Sequence, residues 1–166
     1  MIPLEVRPAV AADAPAISAL IVALAPRFIV DPEGRGAGRF LAMVAPEAVA
    51  GCLADPTFDY RVGEVDGALA GVAALRDGSH LYHLFVADPF RGRGIARVLW
   101  ETLRAAAPEP RGPFTVHATP NAVPVYAAFG FQATGPRTEA NGIAFVPMRR
   151  EADGATQTSA GAPAAV

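Results

Sequence analysis

Lysine is absent from this chain: all fourteen basic residues are arginine. That alone excludes a P-loop, whose pattern ends in Gly-Lys-Ser/Thr so that the lysine can reach the phosphates. A single cysteine, Cys52, excludes an internal disulfide and fits a reducing cytoplasm; it reads as a small core residue rather than a nucleophile. No histidine, cysteine and carboxylate cluster has metal-ligand spacing, so no metal is expected. Ser79 stands next to His80, but adjacency does not make a triad. Basic excess is also missing. A net charge of −2 argues against a nucleic-acid partner. The longest nearly apolar segment, residues 16–25, is about half of what a bilayer requires, so no membrane partner is expected. In MIPLEVRP, Glu5 and Arg7 occupy the place where an export signal needs an apolar centre.

What is present centres on residues 81–107, LYHLFVADPFRGRGIARVLWETLRAAA. Residues 81–86 form an apolar run broken only by His83, which predicts a strand covered on both faces. Asp88-Pro89 ends it, and Gly92 and Gly94 then let the backbone turn sharply and a ligand approach its N–H groups. From Ile95 the spacing of Ile95, Val98, Leu99, Leu103 and Ala106 predicts an amphipathic helix, stopped by Pro108 and Pro110. The N-terminus of such a helix attracts phosphate, and Arg91 and Arg93 add charge to it. The loop is no dinucleotide fingerprint, since the third glycine position is Arg97. A merely tight strand-to-helix connection would look the same in isolation.

The remaining pattern predicts one mixed α/β domain over residues 1–150, with no repeat or linker, and a disordered tail over 151–166. Residues 4–7 read as a first strand. Asp13 is the expected cap of a helix lined by Ile17, Leu20, Ile21 and Leu24 and closed by Pro26. Residues 31–38, DPEGRGAG, read as a surface connection that could border an acceptor pocket, followed by a second helical pattern through Phe40, Leu41, Val44 and Val49. Residues 58–65 and 68–75, joined by Asp66-Gly67 and continued through Asp77-Gly78, predict an antiparallel meander ending in residues 81–86. The helix then crosses to a parallel strand at 114–117. Asn121 is the expected cap of a short helix stopped by Gly130, and residues 131–134 and 143–148 are the last two strands, joined through a turn at Asn141-Gly142.

Arg91-Gly92-Arg93-Gly94-Ile95-Ala96 resembles the acyl-CoA loop of the GCN5-related N-acetyltransferases (GNAT), written Gln/Arg-x-x-Gly-x-Gly/Ala. A second segment, Asn121, Tyr126, Gly130 and Phe131, is similar to that family's Asn-x-x-x-x-Tyr-x-x-x-Gly-Phe pattern, and the element order resembles the whole domain. The resemblance implies the GNAT fold, a mixed α+β domain whose mostly antiparallel central sheet is splayed between its fourth and fifth strands, with helices on both faces. It implies an acetyl-CoA-dependent N-acetyltransferase acting directly on a primary amine of a small molecule or peptide; the oligomeric state stays open, a homodimer being one option. Carried over, backbone groups at Leu84, Phe85 and Val86 pair with the pantetheine arm and polarise the thioester, and the pyrophosphate sits on the N–H groups from Arg91 to Ala96.

Tyr126 matches the family's general acid, although by itself it would read as a packed aromatic. His80 stands at the offset where several relatives carry a base, and an unperturbed imidazole titrates near 6.5; the bland reading is a strand-end surface residue. Alternation places His80 with Tyr82, Leu84 and Val86, and His83 opposite. His117 is a weaker candidate. Asn121 could touch the CoA arm as well as cap its helix. A non-catalytic acyl-CoA-binding or regulatory module on the same fold is the alternative function, since fold does not fix function.

Overall fold

The computed structural model describes residues 3–109 and 111–152; Pro110 and the tail from residue 153 onward lie outside the described residues. Strand β1 (Leu4–Pro8) leads through a 3-10 turn to helix α1 (Ala14–Leu24), which gives way to a second 3-10 turn at Ala25–Arg27 containing Pro26. Asp13 stands at the N-cap of α1 as expected, but its side chain makes no bond to that helix. Its carboxylate accepts the Val10 N–H at 2.7 Å, capping the preceding turn, and takes two bonds at 2.9 Å from the Arg7 guanidinium. Arg7 also reaches Glu64, so one fork ties β1 to its neighbouring strand and to the foot of α1.

The second helical pattern divides into α2 (Gly38–Met43) and α3 (Pro46–Ala54). The residue before a proline is pushed out of the α region, and Ala45 has ψ of 155°. Strands β2 (Phe58–Val65), β3 (Ala68–Arg76) and β4 (His80–Val86) then form the expected meander. Both turns carry positive φ at Asp and Gly, 52° and 78° at 66–67, then 55° and 70° at 77–78; the first is a two-residue hairpin between Val65 and Ala68, and in the second Ser79 follows before His80 pairs with Arg76. Helix α4 (Ile95–Ala106) crosses to β5 (Phe114–Ala118), and helix α5 (Val123–Ala128) leads to β6 (Gln132–Ala133), β7 (Thr138–Ala140) and β8 (Ile143–Arg150).

The sheet runs β1-β2-β3-β4-β5-β8-β6, with β7 paired to β8. Every pairing is antiparallel except β4 with β5. The final hairpin differs from the expectation: the Asn141-Gly142 turn joins β8 to β7, and residues 131–134 contribute only the two-residue β6. β3 is buried on both faces and divides the core. Ala73 and Leu75 face α4, whereas Val72 and Ala74 face α1 and α3. Gly71 is where α4 presses closest, because a Cβ there would meet Phe85 O at 2.9 Å and a Leu99 methyl at 3.0 Å.

The face of α4 differs by one row from the spacing read in the sequence. Ile95, Leu99 and Leu103 are buried, but Val98 and Ala106 are exposed and Trp100 is 1% exposed instead. Trp100 extends sideways into an aromatic cluster, edge-on to Phe114 at 5.0 Å and tilted against Phe131 at 5.3 Å. It thereby joins α4 to β5 and to the chain after α5. Truncating so large a buried ring costs about 3 to 5 kcal/mol. Trp100→Ala should therefore lose that much stability in urea unfolding followed by far-ultraviolet circular dichroism, and a loss below about 1 kcal/mol would show the cluster to be dispensable.

Candidate active site

β4 and β5 register at only two pairs, His80 with Thr115 and Leu81 with Val116. Beyond them the strands part. The cause on the β4 side is a bulge: Ala74 pairs with His83 and Leu75 with Leu81, leaving Tyr82 as an extra residue. The extra residue shifts the alternation by one. Leu84 and Val86 consequently pack toward α4, while Tyr82 and Phe85 pack toward α1 and α3. His83 falls on that second side as well, bonded to Tyr60 at 3.1 Å, so the unbroken alternation read from the sequence does not hold here.

The ladder also fixes which backbone groups are free. Ala87 N–H donates to Ala70 O at 2.8 Å, so this pair and, alternately, Phe85 and His83 bond to β3. The N–H and C=O of Leu84 and Val86 are left on the open edge facing β5. Unpaired edge groups of this kind need water or a ligand.

A cavity of about 300 Å³ occupies the gap, lined by Leu84, Phe85, Val86, Arg91, Gly92, Gly94, Ile95, Ala96, Asn121 and Tyr126 among others. At its outer end Gly92 and Gly94 take φ of 77° and 75°, and a Cβ on either would meet no protein atom within 4 Å. The N–H groups of residues 92–97 have no backbone acceptor among the described residues; the first helical bond is Val98 to Gly94 O at 3.1 Å. Arg27 and Arg91 flank this end, both paired to Asp88, at 2.6 and 3.1 Å. The arrangement suits an anionic group placed on the helix N-terminus. Arg27 follows no motif and was not legible in the sequence. Arg93 lies over the Phe90 ring at 5.6 Å and does not line the cavity, so only its backbone N–H belongs to the loop.

At the inner end, Tyr126 is 7% exposed and packs edge-on to Phe129 and Phe131. Burial pushes its phenol well above the ordinary tyrosine range, so it keeps its proton at neutral pH. No buried polar side-chain atom among the described residues lacks a partner, and the Tyr126 hydroxyl bonds to none of them, so it opens onto the cavity. Tyr126 is held there by a Schellman stop: Phe131 N–H returns to Tyr126 O and Gly130 N–H to Ala127 O, both at 3.0 Å, with Gly130 at φ 95°. Asn121 does not cap α5. It lies inside a 3-10 turn, Pro120–Ala122, and borders the cavity.

His80 lies off the cavity. Its Nδ1 is 2.8 Å from Thr115 Oγ1 and its ring meets His117 edge-on at 5.1 Å. His117, stacked on Phe145 at 4.3 Å, lines both this cavity and a second one. Burial, then the neighbouring His117 and Arg76, push His80 down to about 4. Burial pushes His83 down to about 3 and lowers His117 as well. Among the described residues no group of three or more His, Cys, Asp or Glu could hold a metal, and no helix is long and apolar enough to cross a membrane.

A family model of the acetyltransferase (GNAT) domain matches residues 28–152. The chain belongs to the GNAT family. A search of curated protein sequences found no match. This GNAT chain is similar in structure to a GCN5-related N-acetyltransferase from Rhodopseudomonas palustris, with a TM-score of 0.75 and 22% identity over 91% of this chain and 98% of that one. It also resembles PaiA N-acetyltransferase from Thermoplasma acidophilum, which was solved with coenzyme A (TM-score 0.69, 12% identity, 90% and 99% covered). A third likeness is to histone acetyltransferase HPA2 and related acetyltransferase from Corynebacterium glutamicum (TM-score 0.65, 22% identity, 92% and 97% covered). GNAT proteins use acyl-CoA, and the glycine cradle, open strand edge and helix N-terminus of this chain fit such a ligand.

The lowered histidines imply a specific pH response. With folded values near 4 for His80 and 3 for His83, against about 6.5 unfolded, the unfolded chain binds more protons within that interval. Stability therefore falls as pH drops from about 6.5 toward 4, by up to one proton per histidine in the slope. Urea midpoints between pH 7.5 and 4 should show this, and His80→Gln should remove one proton's share; an unchanged slope in that variant would contradict the shift.

Proposed function

We propose that this chain is an N-acetyltransferase that moves acetyl from acetyl-CoA directly to a primary amine of a small molecule or peptide, in a reducing, cytoplasmic setting consistent with its single cysteine. The observation that carries the reading is the open β4 edge running from the glycine loop to Tyr126 within one cavity. A thioester bound there presents an acyl carbon to an amine; the C–N bond forms, the C–S bond breaks, and the sulfur leaves with the electron pair.

The residues of the chain handle position, charge and protons. The N–H groups of residues 92–97 hold the diphosphate, with Arg91 and Arg27 beside them. The free backbone groups of Leu84 and Val86 align the pantetheine arm as an added strand, and an edge N–H donates to the thioester oxygen as negative charge develops; one such donor is worth about 3 kcal/mol to a transition state. Asn121 borders the arm from the opposite wall. An alkylammonium must first lose a proton, because only about one molecule in a thousand is neutral at pH 7. His117, neutral and at the junction of the cavities, accepts it, with His80 and Thr115 behind it fixing the ring. The Tyr126 hydroxyl donates to the departing sulfur and regains its proton from the second N–H proton that the nitrogen sheds as the neutral amide forms.

Tyr126→Phe should lower kcat by about 10² to 10⁴-fold, the usual worth of a positioned acid, with acetyl-CoA affinity by calorimetry little changed; unaltered turnover would remove Tyr126 from the reaction. Gly94→Val should abolish coenzyme A binding in a thermal-shift assay, because a branched side chain enters the space the loop leaves clear and cannot comfortably hold φ of 75°. Retained binding would place the diphosphate elsewhere.

A further inference from the structure

The second cavity, about 190 Å³, adjoins the first and shares Phe28, Tyr82, Phe85, His117 and Thr119 with it. Its walls are rings. Phe28 meets Phe40 edge-on at 5.5 Å and Phe85 at 5.8 Å, and Phe145 stacks on His117. Among the described residues no Asp or Glu lines either cavity. The titratable groups that face the second one are Tyr82, His83 and His117, all uncharged at neutral pH, since burial raises the phenol and lowers both imidazoles. His83 shows how firmly neutrality is kept: the buried Tyr60 hydroxyl lies 3.1 Å from its Nδ1, and no carboxylate stabilises the imidazolium. Arg76 lies over the Tyr82 ring at 5.4 Å, and Arg27, on the wall of the first cavity, is paired with Asp88.

We infer that the acceptor is a primary amine carried on a single aromatic or apolar body that fills this second cavity, rather than a polyamine or a lysine-bearing peptide. The inference rests on the acetyltransferase reading above. A polyamine would bring further ammonium groups into a space whose lining holds no carboxylate, losing hydration without a compensating partner. An apolar body loses nothing comparable and gains contact with five aromatic side chains, Phe28, Phe40, Tyr82, Phe85 and Phe145. Its amine then reaches His117, where the two cavities meet.

The test measures thiol release from acetyl-CoA with phenethylamine, spermidine and a lysine-containing peptide with a blocked N-terminus, alongside calorimetric binding of phenethylamine and of coenzyme A. The expected result is a kcat/KM for phenethylamine at least tenfold above those of the other two. Met43→Glu places a carboxylate on the rim at a position 40% exposed, where the fold tolerates it, and should shift the ratio toward spermidine by about tenfold. Preference for spermidine or for the peptide in the unaltered protein, or no binding of phenethylamine, overturns the acceptor assignment while leaving acetyl transfer in place. Binding of phenethylamine and coenzyme A with no thiol release for any amine supports the apolar cavity and overturns the transferase reading.

Discussion

The two-pair contact between β4 and β5 is the constraint on which the site depends. A parallel pair that ends after two registered residues leaves both strands with unpaired backbone groups, a costly arrangement inside a sheet and a useful one beside a ligand. The bulge at Tyr82 and the turn into Pro120 after β5 keep the gap open, while the first turn of α4, through Ile95 and Ala96, lines it. The sheet holds together around this fault because β3, buried on both faces, anchors β4 from one side and β8 anchors β5 from the other.

Both ends of the gap derive from backbone conformation rather than from charged side chains. At the outer end two left-handed glycines bring the first turn of α4 to the cavity, and Arg27, Arg91 and Asp88 form a partly neutralised rim. At the inner end a Schellman stop sets Tyr126 with its ring buried and its hydroxyl open. The second cavity has no Asp, Glu or Arg among its lining residues, and it meets the first at His117.

Much of the fold was legible because local chemistry demanded it. Asp-Gly at 66–67 and 77–78 and Asn-Gly at 141–142 mark turns by the φ they must adopt, and the strand, glycine loop and helix of residues 81–106 follow from periodicity and capping. The expectations gave way where another partner lay within reach, near in the chain or distant. Asp13 answered Arg7 and Val10 instead of α1, Trp100 displaced Val98 from the core because an aromatic cluster lay to one side, and Asn121 yielded the cap to a 3-10 turn.

The sequence by itself determined the glycine loop before α4, the meander, the position of Tyr126 in its helix and the absence of lysine and of an internal disulfide, because these depend on residue identity and on spacing within a few residues. Only the tertiary structure decided which histidine meets the cavity. A single extra residue in β4 carries His83 to the face of the second cavity, and the β5 register draws His80 to Thr115 and leaves His117 at the junction. It likewise brought Arg27 to the outer end of the first cavity and assembled the ring-lined second cavity from α2, β4, β5 and β8 together with Phe28. Bulges and inter-strand register are set by packing between distant segments, and no spacing along the chain encodes them.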